Sequence, residues 1–277
     1  MREELAEVSI RLETCSLSTV RRVASMLDLP LDGFSEGMAL PQGWHFILLG
    51  ADTPRSRVRS DGFPGLGVAL PDLGLPRLLQ SGREVTFNKP IPIGSNVSRK
   101  SFVAGIERKA TRSGEVAIVT TAHELTPQGS LEVAVRELQT FFLMPPAAQR
   151  PTENGAGEPI SLEHQKVVTP DDTLLFQYSA LGFNSHKIHL DREYARNVEG
   201  FPDLVVNGGL VTLLLTEYLD KELGVIPSKL KLRYLAPLFS GRRLTIARDE
   251  HDGVLMVKVF NDIGKLAAEM EVHVNDQ

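Results

Sequence analysis

Arg83-Glu-Val-Thr-Phe87-Asn-Lys-Pro90-Ile-Pro-Ile-Gly94-Ser-Asn-Val97 returns later in the chain as Lys229-Leu-Lys-Leu-Arg233-Tyr234-Leu-Ala-Pro237-Leu-Phe-Ser-Gly241-Arg-Arg-Leu244. Both stretches read aromatic-x-x-Pro-x-x-x-Gly-x-x-aliphatic, in register. The likeness continues downstream. Val116 to Glu124 and Val254 to Phe260 are β-rich runs. Each leads into a turn with glycine, Gly129 in one half and Gly264 in the other. Each half then closes on an alternating segment, Leu131 to Phe142 and Leu266 to Val274. Strands bounded by Pro and Gly turns in this order predict an antiparallel meander, present twice.

Between the copies, Pro145 to Pro159 is rich in Pro, Gly and Ala and has no periodicity, so it reads as a linker at residues 145–159. The division predicted is 1–144, linker, and 160–277. The halves are unequal. Gly208 to Gly224 reads as a helix, apolar all round in its first turns and charged at its far end, with Gly224 suited to the C′ position. At the matching place in the first half, Gly62 to Leu79 is broken by Pro71, Pro76 and several glycines. One copy of a buried helix is therefore expected to be degraded, leaving a binding surface.

The chain has 277 residues, 42% hydrophobic and 23% charged, with a formal net charge of −5. This is a globular composition, long enough for one large or two ordinary domains, and it argues against a general nucleic-acid binder. Arg55, Arg57 and Arg59, and Arg108, Lys109 and Arg112, are local basic clusters that read first as solvated loops. One cysteine, Cys15, excludes an intrachain disulfide and fits a reducing compartment. The N-terminus lacks an apolar signal region, and no run approaches a membrane span. The expectation is a cytoplasmic protein without membrane contact. A lone Cys and scattered His supply no metal-ligand spacing.

The chemistry concentrates in Phe176 to Ala195, which includes Tyr178-Ser-Ala-Leu-Gly-Phe-Asn184-Ser-His186-Lys-Ile-His189-Leu-Asp191. It lies between a short strand-like run and the apolar helix. Two histidines, an asparagine and an aspartate among apolar residues need partners or a function, since burying each unpaired costs about 1–3 kcal/mol.

This run, together with Gly200-Phe-Pro-Asp-Leu-Val-Val-Asn207-Gly208-Gly-Leu, resembles the MaoC-like hydratase and dehydratase superfamily. The nearer likeness is to the type-2 hydroxyacyl-thioester dehydratases and the itaconyl- or mesaconyl-CoA hydratases. The resemblance covers most of the chain after Gly43. It implies an α+β double hot-dog, two antiparallel sheets each wrapping a central helix, and a cofactor-free hydro-lyase acting on a CoA thioester. The superfamily carries an Asp and a His five positions apart, and here these are Asn184 and His189. Asn207 stands where the family most often has His.

Hydration of an α,β-unsaturated thioester needs a base, a proton for the α carbon and donors for the enolate-like oxygen. His189 is the expected base. Asn184 either holds the water or forms a turn. His186 is either a second acid/base or a loop hydrogen-bonding group. Asp191 reads as a helix N-cap ahead of an orienting role. Gly208 and Gly209 offer backbone N–H groups as an oxyanion hole, or else a tight turn. Tyr178 and Asn207 are expected at the substrate. For CoA phosphates or a free carboxylate the cations to consider are Arg233, Lys231, Arg83, Arg77, Lys187, Arg242 and Arg243.

The expected reaction is hydration of itaconyl- or mesaconyl-CoA to citramalyl-CoA. The alternatives are a 3-hydroxyacyl-thioester dehydratase on CoA or carrier protein, a thioesterase, and a non-catalytic acyl-CoA-binding protein. Exposed sheet edges make a homodimer compatible with the fold.

Overall fold

The computed structural model describes residues 8–111, 114–145 and 160–275. Apart from Pro145, the expected linker lies outside these residues, as does Arg112. The elements run β1 (Ser9–Thr14), α1 (Leu17–Met26), β2 (Arg77–Phe87), β3 (Asn96–Thr111), β4 (Gly114–Pro127), β5 (Val135–Met144), β6 (Lys166–Val168), α2 (Asp172–Leu181), α3 (Arg192–Asn197), α4 (Gly208–Lys221), β7 (Lys229–Tyr234), β8 (Leu244–His251), β9 (Val254–Phe260) and β10 (Leu266–His273).

The strands form one ten-stranded antiparallel sheet in the order β1-β3-β4-β5-β2-β7-β10-β9-β8-β6. The two sheets expected from the repeat are thus half-sheets, joined edge to edge where β2 pairs with β7, from Gly82↔Arg233 to Thr86↔Lys229. Joining satisfies the backbone groups that each half would otherwise leave at an open edge. The order reads the same from either end once β1 to β5 are matched to β6 to β10, with β2 answering β7. Gly94 (φ +90°) and Gly241 (φ +72°) occupy the same turn in each half, a left-handed conformation that favours glycine. The segment before β5 is a turn, so the strand begins at Val135 and not at Leu131. A short strand, β6, precedes the histidine motif, and the motif's first residues lie on helix α2, capped by Asp171, whose Oδ1 accepts from Leu174 N at 2.8 Å.

Helix α4 is the core element. Leu210, Leu213 and Leu215 are wholly buried against the sheet. At roughly 1.5–3 kcal/mol for each fully buried aliphatic side chain, this face holds the helix in place. The counterpart of α4 is not the stretch from Gly62 to Leu79. In one half Leu40 N donates to Ile91 O and Ile93 N to Met38 O; in the other Val206 N donates to Leu238 O and Ser240 N to Leu204 O. These pairs place Gly43 opposite Gly209, and the helix after it is reduced to a short 3-10 turn, Trp44–Leu48. Gly43 is pressed on α4: a Cβ there would lie 2.1 Å from Thr216 Oγ1. Trp44 Nε1 also donates to Glu217 Oε1 at 2.6 Å. The residues from Gly62 onward are extra chain that the second half lacks. Leu66 and Leu73 anchor them in a small second core with Val119 and Phe141.

Candidate active site

A cavity of about 620 Å³ opens between this extra segment, the N-terminal turn of α4, the loop after α2 and the inner face of the sheet. Asn184, His186, His189, Tyr178, Asn207, Gly208 and Gly209 all line it, so seven of the residues singled out by sequence converge. Arg77 and Arg83 line it as well.

His189 is buried, and its Nδ1 lies 2.7 Å from Val205 O. A carbonyl only accepts, so Nδ1 carries the proton and Nε2 keeps its lone pair. Burial, then the neighbouring His186, pushes the His189 pKa down to about 3. The ring is therefore neutral at physiological pH. His186 stands edge-on to it, with ring centres 5.5 Å apart. Burial lowers its pKa to about 4, against the pull of Asp61, whose Oδ2 is 4.0 Å from His186 Nε2.

The extra segment holds this loop. Lys187 N donates to Asp61 O at 2.8 Å and Ser185 Oγ to Gly62 O at 2.7 Å. Phe63 packs edgewise on His186. Asn184 does form a turn: its Oδ1 accepts from His186 N at 3.0 Å. Asp191 is the N-cap of α3, accepting from Tyr194 N at 2.9 Å.

At the start of α4, Asn207 makes no side-chain cap bond. The first N–H groups of a helix have no intrahelical partner, and here they carry the positive end of a helix dipole into the cavity. Asn207 Nδ2 donates to Ser179 Oγ at 3.3 Å, while its buried Oδ1 has no protein partner among the described residues. Tyr178 stacks on Phe46, with ring centres 4.5 Å apart. Burial raises its pKa despite the nearby Arg83, so it remains a neutral phenol.

Two expected substrate contacts lie elsewhere. Arg233 is exposed and paired with Glu269. Strand alternation sends it and Lys231 to the outer face of β7, opposite Tyr234 and Leu232. Lys187 does not line the cavity; its Nζ sits 5.3 Å from the centre of the Tyr194 ring. Arg242 packs on Phe239 and pairs with Asp262, away from the cavity. Of the Arg55, Arg57 and Arg59 cluster, Arg59 lines the cavity, and it pairs with Asp61 at 2.9 Å. Sequence reasoning missed Asp61, Gln80, His123, Glu137 and Gln139. Only the polar residues at inward positions of β4 and β5 carried a signal.

Residues 43–240 match the model of the family described as hydroxyacyl-thioester dehydratase type 2. The chain is 31% identical over 253 residues, 87% of its length and 90% of the relative's, to mesaconyl-C(4)-CoA hydratase of Chloroflexus aurantiacus. It is 22% identical over 249 residues, 81% of its length and 83% of the relative's, to the mitochondrial hydroxyacyl-thioester dehydratase type 2 of Schizosaccharomyces pombe. In fold it is similar to a MaoC-like dehydratase from Phytophthora capsici, with a TM-score of 0.72 and 15% identity over 98% of this chain and 96% of that one. A Mycobacterium tuberculosis protein described as a double hotdog superposes with a TM-score of 0.60 and 12% identity, over 98% of this chain and 96% of that one. Among the described residues no helix is long and apolar enough to cross a membrane.

Proposed function

We propose, for a chain that belongs to the hydroxyacyl-thioester dehydratase type 2 family and is a hydro-lyase of the hydratase and dehydratase kind, that the cavity adds water across the α,β double bond of a short dicarboxyl-CoA. Mesaconyl-CoA, with the thioester on the carboxyl far from the methyl branch, is the substrate and citramalyl-CoA the product; itaconyl-CoA, whose double bond is β,γ to its thioester, enters the same step only after that bond is shifted into conjugation. The observation that carries this reading is the meeting of a neutral, lone-pair-bearing His189 with the open N-terminus of α4 in one cavity.

The thioester oxygen lies at the N–H groups of Gly208 and Gly209. Asn184 holds the water through its amide. His189 Nε2 takes a proton from that water, and the oxygen bonds to the β carbon. The double-bond electrons move toward the thioester, and the charge collects on its oxygen, where the helix N-terminus is preorganised to receive it. The imidazolium, still over the same face, returns the proton to the α carbon. Val205 O holds the ring in one tautomer throughout. His186 shapes the same wall and adds no charge at neutral pH.

A second reading, a 3-hydroxyacyl-thioester dehydratase, is favoured by the family description and by the Schizosaccharomyces relative. Loss of the enoyl-thioester absorbance of mesaconyl-CoA and of crotonyl-CoA, and formation of citramalyl-CoA from the unconjugated itaconyl-CoA, separate the two when each is given in turn to wild type and His189→Ala. Turnover of the dicarboxyl substrates, abolished by the substitution, supports the first reading. Turnover mainly of crotonyl-CoA supports the second, and silence on all three sinks both.

A further inference from the structure

The duplication supplies an internal control for the wall of the cavity built by β2, β4 and β5. Ladder registers match the two halves residue by residue. Arg83 faces Leu232, and Leu230 faces Val85, across the central seam. Arg83 pairs with Gln139 and Val85 with Glu137, while Leu230 pairs with Val272 and Leu232 with Met270. His123 lies opposite Glu137, and Val257 opposite Met270. Arg83, Glu137, Gln139 and His123 thus answer to Leu230, Met270, Val272 and Val257. His45, two residues past Gly43, answers to Val211. The second half fills all five places with buried aliphatic or thioether side chains. The frame has no need of charge there, and replacing a buried ion pair by packed apolar residues is often neutral or stabilising.

The polar set is organised around Arg83. Its Nη1 lies 3.1 Å from Glu137 Oε1, His45 Nε2 is 2.7 Å from Glu137 Oε2, and Gln139 Nε2 donates to Oε1 at 2.5 Å. Burial alone would raise the Glu137 pKa, but Arg83 and the His45 and Gln139 bonds hold it at about 2. The carboxylate is saturated and clamps one side of the guanidinium. Tyr234 takes a further hydrogen bond from the guanidinium, but Arg83 Nε is buried with no protein partner among the described residues, and so is Gln80 Nε2. A bulge between Gln80 and Gly82 turns the side chains of Gln80 and Arg83 to the same face of β2. Arg83 Nη2 would sit 3.4 Å from a methyl on Gly209, and Gln80 Oε1 3.1 Å from one on Gly208. These two side chains therefore border the turn of α4 whose N–H groups receive the thioester oxygen.

We infer that Arg83 and Gln80 form the receptor for a carboxylate on the acyl group, so that this cavity selects dicarboxylic over monocarboxylic acyl thioesters. Arg83 is the specificity-determining residue, and Glu137, held by His45 and Gln139, positions it. Free N–H donors on a guanidinium and an amide suit a carboxylate, and the adjoining helix N-terminus adds positive potential. The inference rests on reading the cavity as an acyl-thioester site.

Succinyl-CoA and butyryl-CoA test it by calorimetric titration, since they differ only by carboxylate against methyl and neither has a double bond to hydrate. Wild type is expected to bind succinyl-CoA roughly 10- to 100-fold more tightly, the span of one charge-assisted interaction. Arg83→Gln is expected to bring that ratio close to one. Should the lone substitution unfold the chain, the double variant Arg83→Leu/Glu137→Met copies the apolar pair of the second half and leaves no unpaired charge. Its ratio is expected to collapse in the same way, with a cooperative thermal transition retained. Equal binding of both thioesters by wild type, binding of neither, or an unchanged ratio in the variants overturns the inference. If the preference is found but no enoyl-thioester is hydrated, the receptor stands and the hydratase reading falls. If crotonyl-CoA is hydrated and the preference is absent, the receptor falls and the 3-hydroxyacyl-thioester dehydratase reading stands.

Discussion

A methyl group on Gly209 would stand 2.1 Å from Tyr178 Oη, so the first turn of α4 and the phenol that closes over it cannot both stay in place unless residue 209 is glycine. Gly209→Ala is expected to cost about 1–3 kcal/mol by overpacking. It should also displace the N–H groups proposed for the thioester oxygen. Tyr178→Phe in the Gly209→Ala background removes the nearest atom, leaves Cζ at 3.0 Å, and should recover part of the loss. Urea unfolding of the two variants checks this; equal stability of Gly209→Ala and wild type would contradict the packing.

His189→Ala is expected to lower kcat by about 10²–10⁴-fold, the usual contribution of a general base. Circular dichroism should show the fold retained, because the ring makes one backbone hydrogen bond and no ion pair among the described residues. Steady-state turnover of the best enoyl-CoA provides the measurement, and a fall smaller than tenfold removes His189 from the base role.

The buried histidines predict acid sensitivity. His189 titrates at about 3 in the folded chain, and His186 and His123 at about 4, with burial the leading cause for each. Unfolded histidine titrates near 6.5. Between these values the unfolded chain binds protons that the folded chain refuses. Stability is therefore complete above pH 6.5 and falls as pH drops toward 4, each histidine contributing up to about 1.4 kcal/mol per pH unit. Over the same window the proposed base stays neutral while the chain is folded, so kcat/KM should not follow an imidazole titration near pH 6.5. Chemical unfolding at pH 7, 6 and 5 tests the first statement, and a pH–rate profile tests the second.

Arg233→Ala should leave turnover unchanged and alter stability by less than about 0.5 kcal/mol, as for an exposed ion pair. Its side chain lies on the face of β7 opposite the cavity and pairs with Glu269. A rise in KM for acyl-CoA in this variant would show that the outer face of the sheet takes part in binding.

Much of the framework is legible in the chain as written. The Pro and Gly punctuation of the two meanders, the Asp191 cap and the all-apolar start of α4 are local signals. Local backbone preference and burial act on them as expected. The histidine motif is legible for a different reason: polar groups that conflict with their apolar neighbours mark a site. Two differences between sequence and structure are matters of register. The Gly62 stretch, apolar and glycine-rich, imitates a counterpart of α4. The true match, at Gly43, emerges only from the hydrogen bonds of Leu40 and Ile93 set against those of Val206 and Ser240. Arg233 has the chemistry of a ligand, yet its alternation with Leu232 and Tyr234 sends it to the opposite face.

What the sequence by itself determined is the set of things that depend on near neighbours: strand and helix periodicity, turn positions, caps and the grouping of Asn184, His186 and His189 within six residues. What only the tertiary structure decided is which distant groups share the cavity. Asp61 and Phe63 reach His186 across more than a hundred residues of chain, and the joined β2–β7 seam sets Arg83 beside Gly209. The bulge before Gly82 turns Gln80 toward the same space. Burial cost and hydrogen-bond satisfaction act on these groups only after the two half-sheets have closed around α4. No local pattern in the chain encodes which residue will be waiting on the other side.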